Sequence, residues 1–584
     1  MAPFSWAILP GLAALWLARG ASGALPDGRP NGNMFKPPGI PKVPLPEGPV
    51  VSRNGTELPP YNTTYFFDQL IDHKNPSLGT FKQRFWFTYE FYEPGGPIIL
   101  TTPGEANAQG MSILDQGTVC PFTYNHPGYT AYLTNTTFNG LLAQQESGAT
   151  IVLEHRFYGT SNPTPTLSVE GFKYHTIQHA IDDLDHFART VHLPMPGGDQ
   201  VTPDQAPWIN IGGSYSGALV SWAMVNKPNL FFAGYSSSGV VQAITDFWRY
   251  FEPIRQNMPR NCSSDVQAVI AHVDKVFASK DNAAISALKA NWGMEKVTHL
   301  DDVAGALRNN LWDWQSLQPT SGNNTAFRQF CDALEVKDGV SASAEGWGLK
   351  HAVEAWGAHW RNGYLKRLCG DNDAETCLGT YNATSEFYTD ESVDNVWRSW
   401  NWFVCNEVGY LQDGAPRGHP TLVTRQVGFP YDERQCQFMY PKKFKKPPII
   451  NVGPTNAKYK GWRVRKNRLF FANGVRDPWR EATVSAQGIE VASTSQMPVA
   501  VSNGFHCTDL SVARGAADPT VRAVQQEALR SMNGWLKEEW EPKVGFGGAP
   551  ERERARLYED GVPPRSGAGD KPVNAWVKDF GDQV

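Results

Sequence analysis

The run Trp208-Ile-Asn-Ile-Gly-Gly-Ser-Tyr-Ser-Gly-Ala-Leu219 constrains this chain more than any other. A strand-like stretch leads into two glycines and a serine, and an apolar, helix-like stretch (Ala218, Leu219, Val220, Trp222, Ala223, Met224, Val225) follows at once. A strand that becomes a helix within a few residues brings two backbones together, so the corner needs small side chains. Gly212, Gly213, Ser216 and Gly217 supply them. Such a corner lifts the Ser214 hydroxyl above the sheet and points the N–H of Tyr215, at the start of the helix, towards a developing negative charge. Ser214 is the candidate nucleophile, and the Tyr215 N–H is a candidate oxyanion donor.

The corner reads as G-x-S-x-G with Ser216 in place of the last glycine, which is the signature of an α/β-hydrolase sheet. In that fold an acid and then a histidine follow the serine, each on a loop after a later strand. Arg468-Leu-Phe-Phe-Ala-Asn-Gly-Val-Arg-Asp-Pro-Trp479 is an apolar strand whose loop carries Asp477, and Met497-Pro-Val-Ala-Val-Ser-Asn-Gly-Phe-His506 is another whose loop carries His506. Asp509 is a rival acid, but it is only three residues from His506 and better placed to shape that loop. The second oxyanion donor is expected from the loop after Gly96-Pro-Ile-Ile-Leu-Thr-Thr-Pro-Gly-Glu105, as the N–H of Gly104 or Glu105. The chemistry this implies is acyl transfer, which needs no metal or organic cofactor, and the chain has no H-E-x-x-H motif.

The other elements fit an α/β class with a mostly parallel sheet. Tyr65-Phe-Phe-Asp-Gln-Leu-Ile-Asp-His73 and Thr80-Phe-Lys-Gln-Arg-Phe-Trp-Phe-Thr-Tyr89 suggest an antiparallel start, and the apolar runs at 96–105 and 149–159 suit central parallel strands. A helix is expected over 176–191, with Asp182, Asp183 and Asp185 on a solvated face. From 246 to 446 the strand–helix alternation gives way to helical and irregular sequence, with helices expected at 265–280, 300–314 and 343–368. An insertion at this point lies over the carboxyl ends of the strands as a cap. The sheet domain is thus expected in two parts, 61–245 and 447–540, and its last helix spans about 519–540.

Residues 1–23 resemble a secretory leader, residues 24–60 form a proline- and glycine-rich segment expected to be extended and loosely held, with a propeptide as the alternative reading, and 541–584 read as a disordered tail. No other stretch is apolar for long enough to span a bilayer, so no membrane association is expected once the leader is removed. A net charge of −5 gives no footprint for nucleic acid. Eight cysteines in an exported chain imply disulfides, with Cys369 and Cys377 the easiest local pair. Glycosylation sequons at Asn54, Asn62, Asn135, Asn261, Asn323 and Asn382 agree with secretion, the alternative destination being a vacuole or lysosome-like compartment.

At these same residues the chain resembles the family of lysosomal Pro-X carboxypeptidase, dipeptidyl peptidase II and the fungal acid prolyl endopeptidases. The marks are Phe67-Asp-Gln-Leu-Ile-Asp-His73, Thr80-Phe-Lys-Gln-Arg-Phe-Trp86, Glu154-His-Arg-Phe-Tyr-Gly159, Gly212-Gly-Ser-Tyr-Ser-Gly-Ala218, Asn473-Gly-Val-Arg-Asp-Pro-Trp479 and Gly504-Phe-His506. The resemblance implies the triad Ser214, Asp477 and His506, hydrolysis of peptides on the carboxyl side of proline at acidic pH, and a proline pocket lined by Trp479. Glu154 and Arg156 are expected to form a structural ion pair beside the site. Two departures stand out: the family's Gly-x-Glu-Gly loop reads Gly104-Glu-Ala-Asn107, and Ser216 replaces a glycine of the animal members. The competing functions on this scaffold are an esterase or lipase, and a binding protein without catalysis.

Overall fold

A computed structural model describes residues 25–34, 37, 39–110, 128–393 and 395–540. The expected leader, the expected tail and Cys120 lie outside these residues. The main sheet has eight strands: β1 (Tyr65–Leu70), β2 (Thr80–Thr88), β3 (Ile98–Thr101), β4 (Ala149–Leu153), β5 (Trp208–Gly213), β6 (Ala233–Ser237), β7 (Leu469–Gly474) and β8 (Val499–Ser502). Their spatial order is β1-β2-β4-β3-β5-β6-β7-β8. β2 runs antiparallel to both β1 and β4, and every other pairing is parallel, which is the α/β-hydrolase arrangement.

Alternation along the central strands builds a core on each face. Ile98, Leu100, Ile151, Leu153, Leu469 and Phe471 face one way, towards helices α2 (Ile177–Thr190) and α3 (Tyr215–Asn226). Ile99, Val152, Ile209, Ile211, Phe470 and Ala472 face the other, towards α1 (Phe138–Glu146) and α8 (Pro519–Trp535). Strands covered on both sides need continuous apolar sequence, which is why these runs carry so few polar residues.

Between β6 and β7 the chain is mainly helical, with α4 (Arg260–Ser279), α5 (Ala326–Glu335), α6 (Leu349–His359) and α7 (Val396–Phe403). Three disulfides brace it, Cys262–Cys331, Cys369–Cys377 and Cys405–Cys436. The helix expected at 300–314 is broken into Leu300–Ala306 and Asn309–Trp312. The one expected from 343 begins only at Leu349, because Gly346 and Gly348 take positive φ and the Asp265 carboxylate accepts the N–H groups of Trp347 and Gly348. A short parallel pair, Ile244–Asp246 with Gly409–Leu411, ties distant parts of this region together.

Two expectations change. Asp183 is not on a solvated face: it is buried and accepts from Arg156 Nε at 2.6 Å and pairs with His73 Nε2 at 2.7 Å. The described part of the proline-rich segment is also held firmly. Arg29 is buried and donates to Asn309 Oδ1 at 2.7 Å, Asn33 donates to the Asp302 and Leu378 carbonyls, and Pro41 O accepts from the Tyr132 hydroxyl at 2.8 Å. This segment therefore bridges the helical region and the sheet.

Candidate active site

Ser214 sits at the turn from β5 into α3 with φ 60° and ψ −126°, a conformation costly for a side-chain-bearing residue and held here by the Ser214 N–H bond to Ser237 O at 2.8 Å. Asp477 follows β7 and His506 follows β8. Beyond the strands, the Val475 N–H bonds to Ser502 O at 2.9 Å and the Arg476 N–H to Gly504 O at 3.1 Å, so the two loops stay in register as a continuation of the sheet. The result brings together side chains remote in sequence. His506 Nε2 lies 2.8 Å from Ser214 Oγ, and His506 Nδ1 lies 2.8 Å from Asp477 Oδ1. All three residues are buried.

Burial alone drives the His506 pKa down, but the adjacent Asp477 carboxylate outweighs it and holds the imidazole well above its ordinary value. Asp477 Oδ1 also accepts the Trp479 N–H at 2.9 Å, which fixes the carboxylate. The rival acid Asp509 is engaged elsewhere, accepting from the Tyr235 hydroxyl at 2.7 Å and Ser237 Oγ at 2.9 Å. Burial pushes its carboxyl up to about 6.

The loop after β3 lies against the corner. Gly104 has φ 77°, and a Cβ there would come within 2.7 Å of Ser216 Oγ, so both the backbone conformation and the approach of Ser216 favour glycine at this position. The Gly104 N–H already donates to Thr102 Oγ1 at 3.3 Å. Glu105 is buried; burial raises its carboxyl to about 7, against its own backbone N–H and the attraction of His506, and Oε1 has no hydrogen-bond partner. Glu105 lines a cleft of ≈ 870 Å³ together with Leu25, Arg29, Tyr129, Tyr364 and Trp397. The loop after β3, the N-terminal segment and the helical region thus share one cleft.

Trp479 is fully buried, ringed by Phe247, Tyr250 and Tyr410, with its ring centre 6.3 Å from that of His506. Its Nε1 donates to Gln315 Oε1 at 2.8 Å. Gln315 and Gln318 come from the helical region, and Gln318 Nε2 reaches the His506 carbonyl at 3.4 Å. Nothing in their local sequence marks either glutamine.

Glu154 and Arg156 do not pair with each other. Arg156 pairs with Asp183, while both Glu154 oxygens accept from Arg84, at 2.9 and 2.7 Å. Of the sequon asparagines, Asn54, Asn62, Asn323 and Asn382 are exposed. Asn135 and Asn261 are half-buried, with side-chain amides donating to Gln144 Oε1 and to Ser341 Oγ and Ala342 O respectively.

Comparison with known proteins adds the following. Residues 69–528 match the family described as serine carboxypeptidase S28. The chain is 35% identical over 494 residues to the serine protease vicPb of Bipolaris victoriae, covering 80% of this chain and 88% of that protein. It is 30% identical over 496 residues to a probable extracellular serine carboxypeptidase of Arthroderma benhamiae, covering 78% of this chain and 64% of that protein. It is 25% identical over 491 residues to the human thymus-specific serine protease, covering 81% and 87% respectively.

Proposed function

Because this chain belongs to the serine carboxypeptidase S28 family of serine-type peptidases, we propose that it cleaves peptides on the carboxyl side of proline through Ser214, His506 and Asp477. The observation that carries the reading is the alignment of Asp477, His506 and Ser214 through two 2.8 Å contacts at a strained corner.

His506 Nε2 takes the Ser214 proton as Oγ attacks the carbonyl carbon, and then gives it to the departing amine. Asp477 keeps the proton of the neutral ring on Nδ1 and stabilises the imidazolium. The Tyr215 N–H, one of the donors left free by helix geometry, faces the oxyanion, and the Glu105 or Gly104 N–H is the second donor. Water then cleaves the acyl-enzyme. Residues 246–446 act as a cap, and Trp479 with its aromatic neighbours backs a pocket for the proline ring. The leader, the disulfides and a relative named as extracellular support an exported protein. Among the described residues no helix is long and apolar enough to cross a membrane.

Activity at acidic pH is part of the proposal. Below about 7 the buried Glu105 is neutral and places no second negative charge beside the oxyanion; ionisation above that adds one. The raised His506 pKa acts in the opposite sense, since only neutral imidazole is a base. A rate that climbs between about pH 6 and 8 would refute the acid optimum and leave the triad standing. The proline reading is tested by mass spectrometry of products from a mixed peptide pool beside a short-chain nitrophenyl ester. Cleavage after proline supports it, and hydrolysis of the ester alone refutes it.

A further inference from the structure

The loop that carries the second oxyanion donor is held by a buried network that no step of the reaction uses. Arg84, on β2, and Glu154, just beyond β4, are buried and joined by two hydrogen bonds. Glu154 Oε1 also accepts the Ala108 N–H at 2.9 Å, and Oε2 accepts the Ser161 hydroxyl at 2.6 Å. Arg84 Nη2 donates to Asn107 Oδ1 at 3.0 Å, and Nη1 donates to Gln109 Oε1. Asn107 Oδ1 in turn accepts the Gln109 N–H at 3.1 Å. Three consecutive loop residues are thus fastened to one ion pair, two residues after Glu105. Gly159, at φ 55°, makes room, since a Cβ there would collide with the Glu154 carboxylate and the Arg84 guanidinium.

An ion pair buried for stability alone is a poor investment, because desolvation offsets most of its attraction. What this pair has that an apolar pair would lack is directional bonds to the loop. We propose that Arg84 and Glu154 are positioning residues which hold the loop 104–110 so that its N–H donor meets the oxyanion formed at Ser214. The inference rests on the serine-peptidase reading above. The Gly104 N–H is turned to Thr102, so a loop released from its anchors has other partners to choose, and the donor is lost to the transition state more than to the substrate.

The test compares native protein with Asn107→Ala, which cuts one tie and leaves the pair intact, and with the double variant Arg84→Met/Glu154→Leu, which replaces the pair by apolar side chains. Turnover is expressed per active site titrated with a fluorophosphonate, so that misfolded protein is not counted, and exchange of the Ala108 amide is followed in parallel. We expect kcat per titrated site to fall roughly 10-fold in the single variant and roughly 100-fold in the double one, with KM within about two-fold and faster Ala108 exchange in the double variant. Unchanged turnover per titrated site in both, or an Ala108 amide as protected as in native protein, overturns the inference. If native Ser214 fails to react at all, the functional reading falls, and the exchange measurement still decides whether the pair anchors the loop.

Discussion

Replacing Asp477 by asparagine separates the two duties given to that residue. Asp477 Oδ1 receives His506 Nδ1 at 2.8 Å and the Trp479 N–H at 2.9 Å, while Oδ2 is buried without a partner. An asparagine that keeps its oxygen at the Oδ1 position retains both contacts and therefore the tautomer that leaves Nε2 free to act as base. The Trp479 N–H resists the opposite flip, which would face it with an amide donor. The main loss is then charge. Two unit charges about 4 Å apart at an effective dielectric near 20 attract by about 4 kcal/mol, or roughly 10³ in rate. Loss of tautomer control as well takes the best-studied serine triad down about 10⁴. Steady-state kinetics on a proline-containing peptide, per titrated site, should show kcat down roughly 10³ with KM nearly unchanged. The amide nitrogen, buried where Oδ2 was, should also cost about 1–3 kcal/mol of stability. A kcat loss below about ten-fold, or an equal loss in Asp509→Asn, refutes the assignment of Asp477.

Other consequences follow from groups away from the nucleophile. Glu407 is half-buried, and desolvation pushes its carboxyl up to about 7 although it accepts the Ile177 N–H. Its folded pKa lies above the unfolded one, so its contribution to stability is complete below about pH 4.5 and lost as pH rises through about 7. Glu407→Gln should therefore leave thermal stability unchanged near pH 4 and raise it near pH 8 by on the order of 2–4 kcal/mol; equal effects at both values would contradict this. Gly104→Ala places a methyl against Ser216 Oγ at a positive φ, and should lower kcat per titrated site roughly 10- to 100-fold, with partial recovery in Gly104→Ala/Ser216→Gly. Breaking Cys405–Cys436, which closes a 31-residue separation, should cost roughly 3–4 kcal/mol in denaturant unfolding of that region.

What sequence could reveal here was local. The corner at Ser214 and the loops carrying Asp477 and His506 each sit immediately after an apolar strand, so parallel pairing of β5 to β8 carries all three to one edge of the sheet. Cys369 and Cys377 are close in the chain, and their pairing was readable for the same reason. What escaped depended on distant partners. Glu154 and Arg156 are two residues apart but lie beyond the end of β4, beside Phe157 at φ 66°, and each is claimed by another element, β2 for Glu154 and α2 for Arg156. Asp183 looks like its charged neighbours until Arg156 arrives from the sheet. The proline-rich segment has the composition of a loose tether, yet Ile40 is buried in the core beside Gly213, and the buried Arg29 donates to the Met34 carbonyl of its own segment and to Asn309 of the helical region. The glutamines above the site have no sequence signal because their role comes only from the approach of the helical region to the sheet.

The central claim is that Ser214 is made nucleophilic by His506, and the most direct measurement is reaction of the folded protein with a fluorophosphonate followed by peptide mapping. The account predicts one adduct, on Ser214, absent from Ser214→Ala and formed far more slowly by His506→Ala. A folded protein that stays unmodified, or that carries the adduct on another residue, contradicts it.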